Sequence, residues 1–239
     1  SSPAIVIALS TVLPASVAAY LGGMARLHEG VPAEWYPLGR ILFAVTGLIA
    51  AGFVATGIYL DFPAITAELS VELVKRIAAA DPAFAADPVA TMALANSVLK
   101  IIPFVQPASW LLVIMANFWM ALAISRRSGL FRRPKDDWPT SLKMPSGALP
   151  LFALAMAGTF LGGGFGMIAW CIAGAFSMAF VFTGFAALHR LSRGKPWRMT
   201  ALWIAYATSL TIGIPVLAFL FAGLYDTAKK PAADGSNFN

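Results

Sequence analysis

Covalent chemistry needs a nucleophile beside a base, a ligand set for a metal, or paired titratable groups in contrasting environments. The sequence supplies few of these. It has two histidines, His28 and His189, one cysteine, Cys171, and 11 carboxylates against 17 Lys and Arg. The histidines stand in separate polar segments, a poor arrangement for a metal, and each reads as a residue at a membrane interface. Cys171 lies in an apolar run, so no internal disulfide and no Cys-based metal site is expected, and it reads as a small packing residue. No Ser or Cys has a base nearby in sequence. The stretch GGGFG at residues 162–166 lacks the Lys and Ser/Thr of a phosphate cradle, which excludes an ATPase within this chain. No catalytic residue, metal or cofactor is therefore expected. A lipid-directed enzyme would need His28, His189 and the basic segments to converge, and no catalytic dyad supports it.

What remains is neutral and polar. Gln106, Ser109 and Asn117 fall in one long apolar stretch, beside Trp110 and Trp119. At about 100° per residue, the step from Gln106 to Asn117 ends only about 20° past three full turns, so the two amides share a helix face. Amides in apolar surroundings need partners. Another helix is the simpler partner, and a small polar solute is the other. Thr208, Ser209 and Thr211 precede Gly213 and Pro215, where a helix is expected to kink and free a carbonyl. Tyr206 is a further lining candidate. Gln106, Asn117 and Tyr206 are thus the candidate solute-binding residues.

The elements that must hold these residues are apolar helices. The chain is 59% hydrophobic and 12% charged, against about 25% charged in a typical soluble domain, and its mean hydropathy is +0.76. A hydrocarbon core of about 30 Å needs about 20 helical residues. Residues 3–25, 41–60, 101–125 and 199–225 are uncharged stretches of about that length. Residues 145–188 are also uncharged, and one helix of that length would reach about 66 Å, too long for a single crossing. Gly162, Gly163, Gly164 and Gly166 favour a turn within it. The spacing predicts a hairpin of spans at 146–161 and 165–188, the first of them short. The expected fold is all-α: a polytopic helical membrane protein with six transmembrane helices and one membrane domain over residues 1–225. Residues 226–239 form a polar tail. The chain begins SSPAIV, without Met or the charged start of a signal peptide, which points to sequence upstream of Ser1.

Residues 61–100 break the apolar pattern with five acids and three bases. Ile65, Leu69, Leu73 and Ile77 recur every four residues, and Glu72 and Arg76 stand at the favourable i,i+4 spacing. Asp87 is placed to cap a second helix, with Pro88 at its first position. Two short amphipathic helices on the outer membrane face are expected, as a structural rest or as a gate. Residues 126–143 carry six Lys/Arg and two Asp, and residues 189–198 carry four Lys/Arg and no acid. The positive-inside rule puts both basic loops in the cytoplasm and the acidic segment outside. Both termini then lie outside, which leaves Lys229 and Lys230 on the less favoured side. Arg126, Arg127, Arg132, Arg133, Arg190 and Arg193 are expected to set topology and to meet lipid headgroups. Nucleic acid is not an expected partner, because the charge sits in short islands diluted by Asp136 and Asp137.

Three stretches carry a family resemblance: EWYPLGR at 34–40, NFWMALAISRRSGLFRRP at 117–134, and FLGGGFGMIAWCIAGAFSMAFVFTGFAALHRLSRG at 160–194. Together they resemble the alphaproteobacterial branch of the YybS-like predicted multi-pass membrane proteins, over about residues 13–225. That family looks longer at its N-terminus, and it is distantly similar to the substrate-binding S components of energy-coupling-factor transporters. The resemblance implies a six-helix module of the bacterial inner membrane. Such a module binds a small solute and docks on a transmembrane coupling protein that works with a separate ATPase. It transfers no functional residue, and the insertion at 61–100 departs from a compact S component. The expected function is therefore transport-related solute binding. The rival is a structural or assembly subunit of a larger membrane complex.

Overall fold

The computed structural model describes residues 5, 8–81, 86–129, 131–211 and 213–229. A π-helical turn, Ala8–Val12, leads into α1 (Leu13–Gly23). A hairpin of β1 (Ala25–His28) and β2 (Val31–Trp35) follows, and then α2 (Leu38–Tyr59) and α3 (Phe62–Ala80). The long α4 (Pro88–Arg127) and the one-turn α5 (Trp138–Ser141) precede the pair α6 (Ala148–Gly158) and α7 (Gly163–Leu191). The chain ends with α8 (Arg198–Thr211) and α9 (Pro215–Ala228). Among the described residues, α2, α4 and α7 are each long and apolar enough to cross a membrane, and α8 with α9 passes the same test if taken as one bent span.

α7 is the central post. Two thirds of its most apolar window is buried, against less than half in α2 and α4, and α2, α4, α5, α6 and α9 all pack on it. Small residues let the backbones meet. A Cβ at Gly174 would overlap the Phe104 carbonyl of α4, and one at Gly184 would overlap the Phe219 carbonyl of α9. In lipid, where the hydrophobic effect does not drive helix pairing, such close approach supplies the packing energy. Phe152 and Phe180 add an edge-to-face pair at 5.3 Å between α6 and α7.

Several expected elements form as the residue types dictate. The hairpin turn falls at Gly162 and Gly163, with φ of +68° and +55°, a backbone region that glycine enters without a Cβ penalty. The Asp87 carboxylate caps α4 by accepting from the Ala90 N–H at 3.0 Å, with Pro88 in the first turn. The amphipathic repeat from Ile65 to Ile77 becomes α3, carrying the Arg76–Glu72 pair at 3.0 Å.

Other details differ from expectation or refine it. The second short helix of the insertion does not stand alone: α4 runs unbroken for 40 residues, about 60 Å, through Lys100, Pro103 and Pro107. Helix-forming residues continue across Lys100, and one lysine at a helix surface does not stop a helix. The chain is helical almost throughout, as expected, and one short strand pair adds to it: residues 25–35 form an antiparallel hairpin with Arg26 opposite Glu34, and Gly30 turns it at φ +75°. Within the expected span 199–225 the break falls where the sequence put it, at Gly213 and Pro215: α8 and α9 are bent by 119°, with Gly213 at φ +74° and Pro215 opening α9. Of the tail, Asp226 to Ala228 belong to α9, and residues 230–239 lie outside the described residues, as does part of the expected span 3–25.

The ends of the bundle differ in charge. One end gathers the end of α1, the start of α2, the ends of α4 and α7 and the start of α8, together with the basic loops. The opposite end carries the α6–α7 turn, α3 and the start of α4. The Asp226 carboxylate in the last turn of α9 pairs with Arg190 in the last turn of α7. α9 therefore returns to the basic end from which α8 departs, and the expected placement of the C-terminus falls on residues outside those described.

Candidate functional site

At the acidic end, α3, α4 and the α6–α7 turn enclose an open cavity of about 650 Å³. Its wall is mainly apolar: Phe62 from α3, Leu99 and Pro103 from α4, and Met167 and Trp170 from α7. Phe104 holds Trp170 edge-on at 5.7 Å. The glycines of the hairpin turn line the cavity beside Phe160, and their lack of side chains keeps that side open.

The polar groups come from three segments, with Thr66 on α3 beside those of α4 and the hairpin turn. Asn96 and Lys100 stand one turn apart on α4 and share a face with Leu99 and Pro103. Thr159 lies at the hairpin turn, its hydroxyl donating to the Met156 carbonyl at 2.6 Å. Among the described residues, neither the Lys100 ammonium nor the Asn96 amide makes a hydrogen bond or ion pair. The arrangement is an apolar, aromatic-walled chamber with one cation and one amide at its edge. It is a shape that can bind a small molecule, and no metal-binding group of three His, Cys, Asp or Glu occurs among the described residues.

The candidate residues fall elsewhere. Gln106 and Asn117 do share a face of α4, but both point away from the bundle and are exposed, as is Ser109. They do not line this cavity, and among the described residues neither amide bonds to a neighbouring helix. Trp110, beside them, donates from its ring N–H to Thr11 Oγ1 at 2.7 Å. Tyr206 stacks on Phe185 at 5.1 Å, and its hydroxyl lies 2.7 Å from His189 Nε2. Phe219 stacks on the same Phe185 ring at 4.0 Å. Tyr206 thus fastens α8 to α7, away from the cavity.

The six arginines divide into two groups. Arg127 and Arg132 are exposed at the basic end, where headgroups could reach them. Arg133 is 3% exposed and serves the fold. Its Nε and one terminal nitrogen donate to Asp136 at 2.8 Å, and the two terminal nitrogens donate to the Gly22 and Tyr36 carbonyls at 3.1 and 3.0 Å. The Gly22 carbonyl is one of those that a helix end leaves unpaired, so Arg133 caps α1 from a distant loop. Arg126 lies 3.9 Å from Asp136. Arg190 donates to the Pro139 carbonyl at 3.1 Å as well as pairing with Asp226. Arg193 pairs with Asp137 across the two basic loops. The Arg193 guanidinium holds the Asp137 carboxyl below its ordinary value, and Asp137 in turn raises Arg193.

Sequence reasoning missed the cavity because four segments build it, and only one signal was present. Asn96, Leu99, Lys100 and Pro103 follow helical spacing, but Lys100 read as the boundary of a span. No protein-family model, curated protein or solved structure matches the chain.

Proposed function

We propose that the chain is an integral protein of the bacterial inner membrane that binds a small solute as part of a transport system and does no catalysis. One observation carries this reading: the cavity of about 650 Å³ between α3, α4 and the α6–α7 turn. Small-molecule sites are concave, mostly apolar and edged by a few polar groups, with volumes of roughly 300–1,000 Å³. The resemblance to YybS-like proteins, and through them to S components, fits the same reading, with a membrane coupling protein and a separate ATPase as partners. α3 acts as the outer wall of the site.

In this reading the basic end faces the cytoplasm under the positive-inside rule. α2, α4 and α7 cross the bilayer, the shorter apolar α1 and α6 run beside them, and α8 and α9 enter from the cytoplasmic side and return to it. The expected sixth crossing becomes this re-entrant pair. Lys229 then lies on the favoured side.

The test is gentle purification from the native membrane followed by mass spectrometry of everything bound. A stoichiometric small molecule supports the reading, and its release on mutation of Trp170 or Lys100 places it in the cavity. A second reading, an assembly subunit of a larger complex, is favoured by the outward amides Gln106 and Asn117, since uncovered amides are costly in hydrocarbon. Stoichiometric membrane subunits with no small molecule would favour it over the first.

A further inference from the structure

We infer that the cavity selects an amphipathic anion, with a carboxylate or phosphate head at Lys100 and an apolar body against Trp170, Met167 and Phe62. The inference rests on the cavity being the solute site and names the chemical class that the site takes. Three features of the wall converge on that class.

The first is charge. Lys100 is the cation on the cavity, and no carboxylate lines it. Among the described residues no acid pairs with this ammonium, so its charge is available to a ligand in the cavity. An uncompensated cation over a low-dielectric wall attracts an anion more strongly than it would in open water. The second is hydrogen bonding. Asn96 lies one helical turn from Lys100 with its amide unbonded, so an N–H donor stands beside the cation on the same face. The third is the body of the chamber. Leu99, Met167 and Pro103 are buried, and Trp170 and Phe62 are partly so, which supplies apolar and aromatic surface for a chain or ring rather than for a fully hydrated ion. A bare inorganic anion would leave that surface wet. A neutral apolar molecule would leave Lys100 without a counter-charge.

The level of the cavity agrees. α4 extends about 60 Å, twice the hydrocarbon thickness. Measured back from Arg126 at the basic end, Lys100 lies about 39 Å along the helix, at the outer headgroup level, where an anionic head group or a dissolved anion can reach it. The anion can therefore come from the outer solution or from an anionic lipid.

The test uses the full chain in phosphatidylcholine nanodiscs, with quenching of tryptophan fluorescence by 8-bromooctanoate as the readout. We expect a saturable component that disappears in Trp170→Phe. Lys100→Gln should weaken it about tenfold or more, as expected for loss of one charge-assisted contact, and Lys100→Arg should restore most of it. 8-Bromooctanol and (8-bromooctyl)trimethylammonium should each bind about tenfold more weakly than the carboxylate. Thermal unfolding of each variant separates loss of binding from loss of fold. If the alcohol or the cation binds as tightly as the carboxylate, if folded Lys100→Gln binds unchanged, or if the saturable component survives Trp170→Phe, the inference is overturned. Brominated-chain phosphatidylglycerol identifies the source. Quenching above that by brominated phosphatidylcholine, and lost in Lys100→Gln, assigns the anion to lipid. Saturable octanoate binding without that lipid preference assigns it to free solute. A neutral or cationic molecule co-purifying in the cavity would leave the solute-binding reading intact and overturn only the choice of class.

Discussion

Arg190 and Asp226, 36 residues apart in sequence, form an ion pair that joins the last turn of α7 to the last turn of α9. Because α8 also starts beside the end of α7, both ends of the α8–α9 pair lie at the basic end of the bundle. With the basic end in the cytoplasm, as proposed, a green fluorescent reporter fused after Asn239 should fluoresce in cells, and an alkaline phosphatase fused there should be inactive. The reverse pattern would mean that α9 emerges on the far side. Asp226→Ala leaves the partly buried Arg190 with only the Pro139 carbonyl, and should cost about 1–3 kcal/mol, read as a lower unfolding midpoint in detergent.

Arg133 makes the other long-range tie. It fills four of its five donor positions with Asp136 and with two carbonyls from distant segments, and it lies 5.8 Å from the Trp35 ring. Arg133→Ala strands buried acceptors and the Asp136 carboxylate, a loss of about 3 kcal/mol or more. Arg133→Lys should recover little, since an ammonium lacks the planar fork that reaches three acceptors at once. Equal stability of Arg133→Lys and the parent protein would show that charge alone suffices.

The close backbone contacts give a sharper contrast. Gly174→Val places a side chain on the Phe104 carbonyl, so α4 and α7 must separate. It should abolish monodisperse protein on size-exclusion chromatography. Gly47→Ala on α2 meets nothing within 4 Å and should be neutral or slightly stabilising, since alanine is the better helix former.

These relationships show where a sequence speaks and where it is silent. Length and charge place α2 within a few residues of its expected span. Gly162 and Gly163 announce the hairpin turn, and Asp87 with Pro88 announces the start of α4, because each is a local constraint on backbone or capping. Nothing local says that α4 continues through Lys100: a charge ends an apolar window without ending a helix. Uncharged length alone does not distinguish one crossing of residues 199–225 from two half-length helices that turn back. Arg133 looks like its neighbours Arg127 and Arg132, and only the convergence of Gly22, Tyr36 and Asp136 around it makes it a buried hub. The cavity is illegible for the same reason, since Phe62, Lys100 and Trp170 meet only in three dimensions.

The Asp137–Arg193 tie between the basic loops should respond to acid and to salt. Its carboxyl is held below the ordinary value first by the Arg193 hydrogen bond. A depressed carboxylate contributes stability above its unfolded pKa, about 3.9, and loses it as pH falls through the lower folded value. The difference in unfolding midpoint between the parent and Asp137→Asn should therefore be flat from about pH 5 to 8 and vanish only in stronger acid. Both groups are exposed, so the difference should be small and should shrink in about 1 M NaCl. A difference that disappears near neutral pH would assign the tie to another titrating group.

Gln106 and Asn117 test what surrounds the bundle. Their exposure on the outward face of α4 means that neither amide holds this chain together. Gln106→Leu with Asn117→Leu should therefore leave the unfolding midpoint of the purified chain within about 0.5 kcal/mol of the parent, or raise it. A drop of several degrees would mean that the amides bond to helices of the chain itself. In native membranes the same variant reads the assembly. If a neighbouring subunit covers this face, its helix satisfies the two amides across the contact, and the leucines should release it from the purified complex while bound solute stays. If lipid covers the face, replacing the amides removes a desolvation cost and loses no partner. The variant thus separates a contact on α4 from a site at Lys100, because the two lie at different levels of one helix and depend on different neighbours.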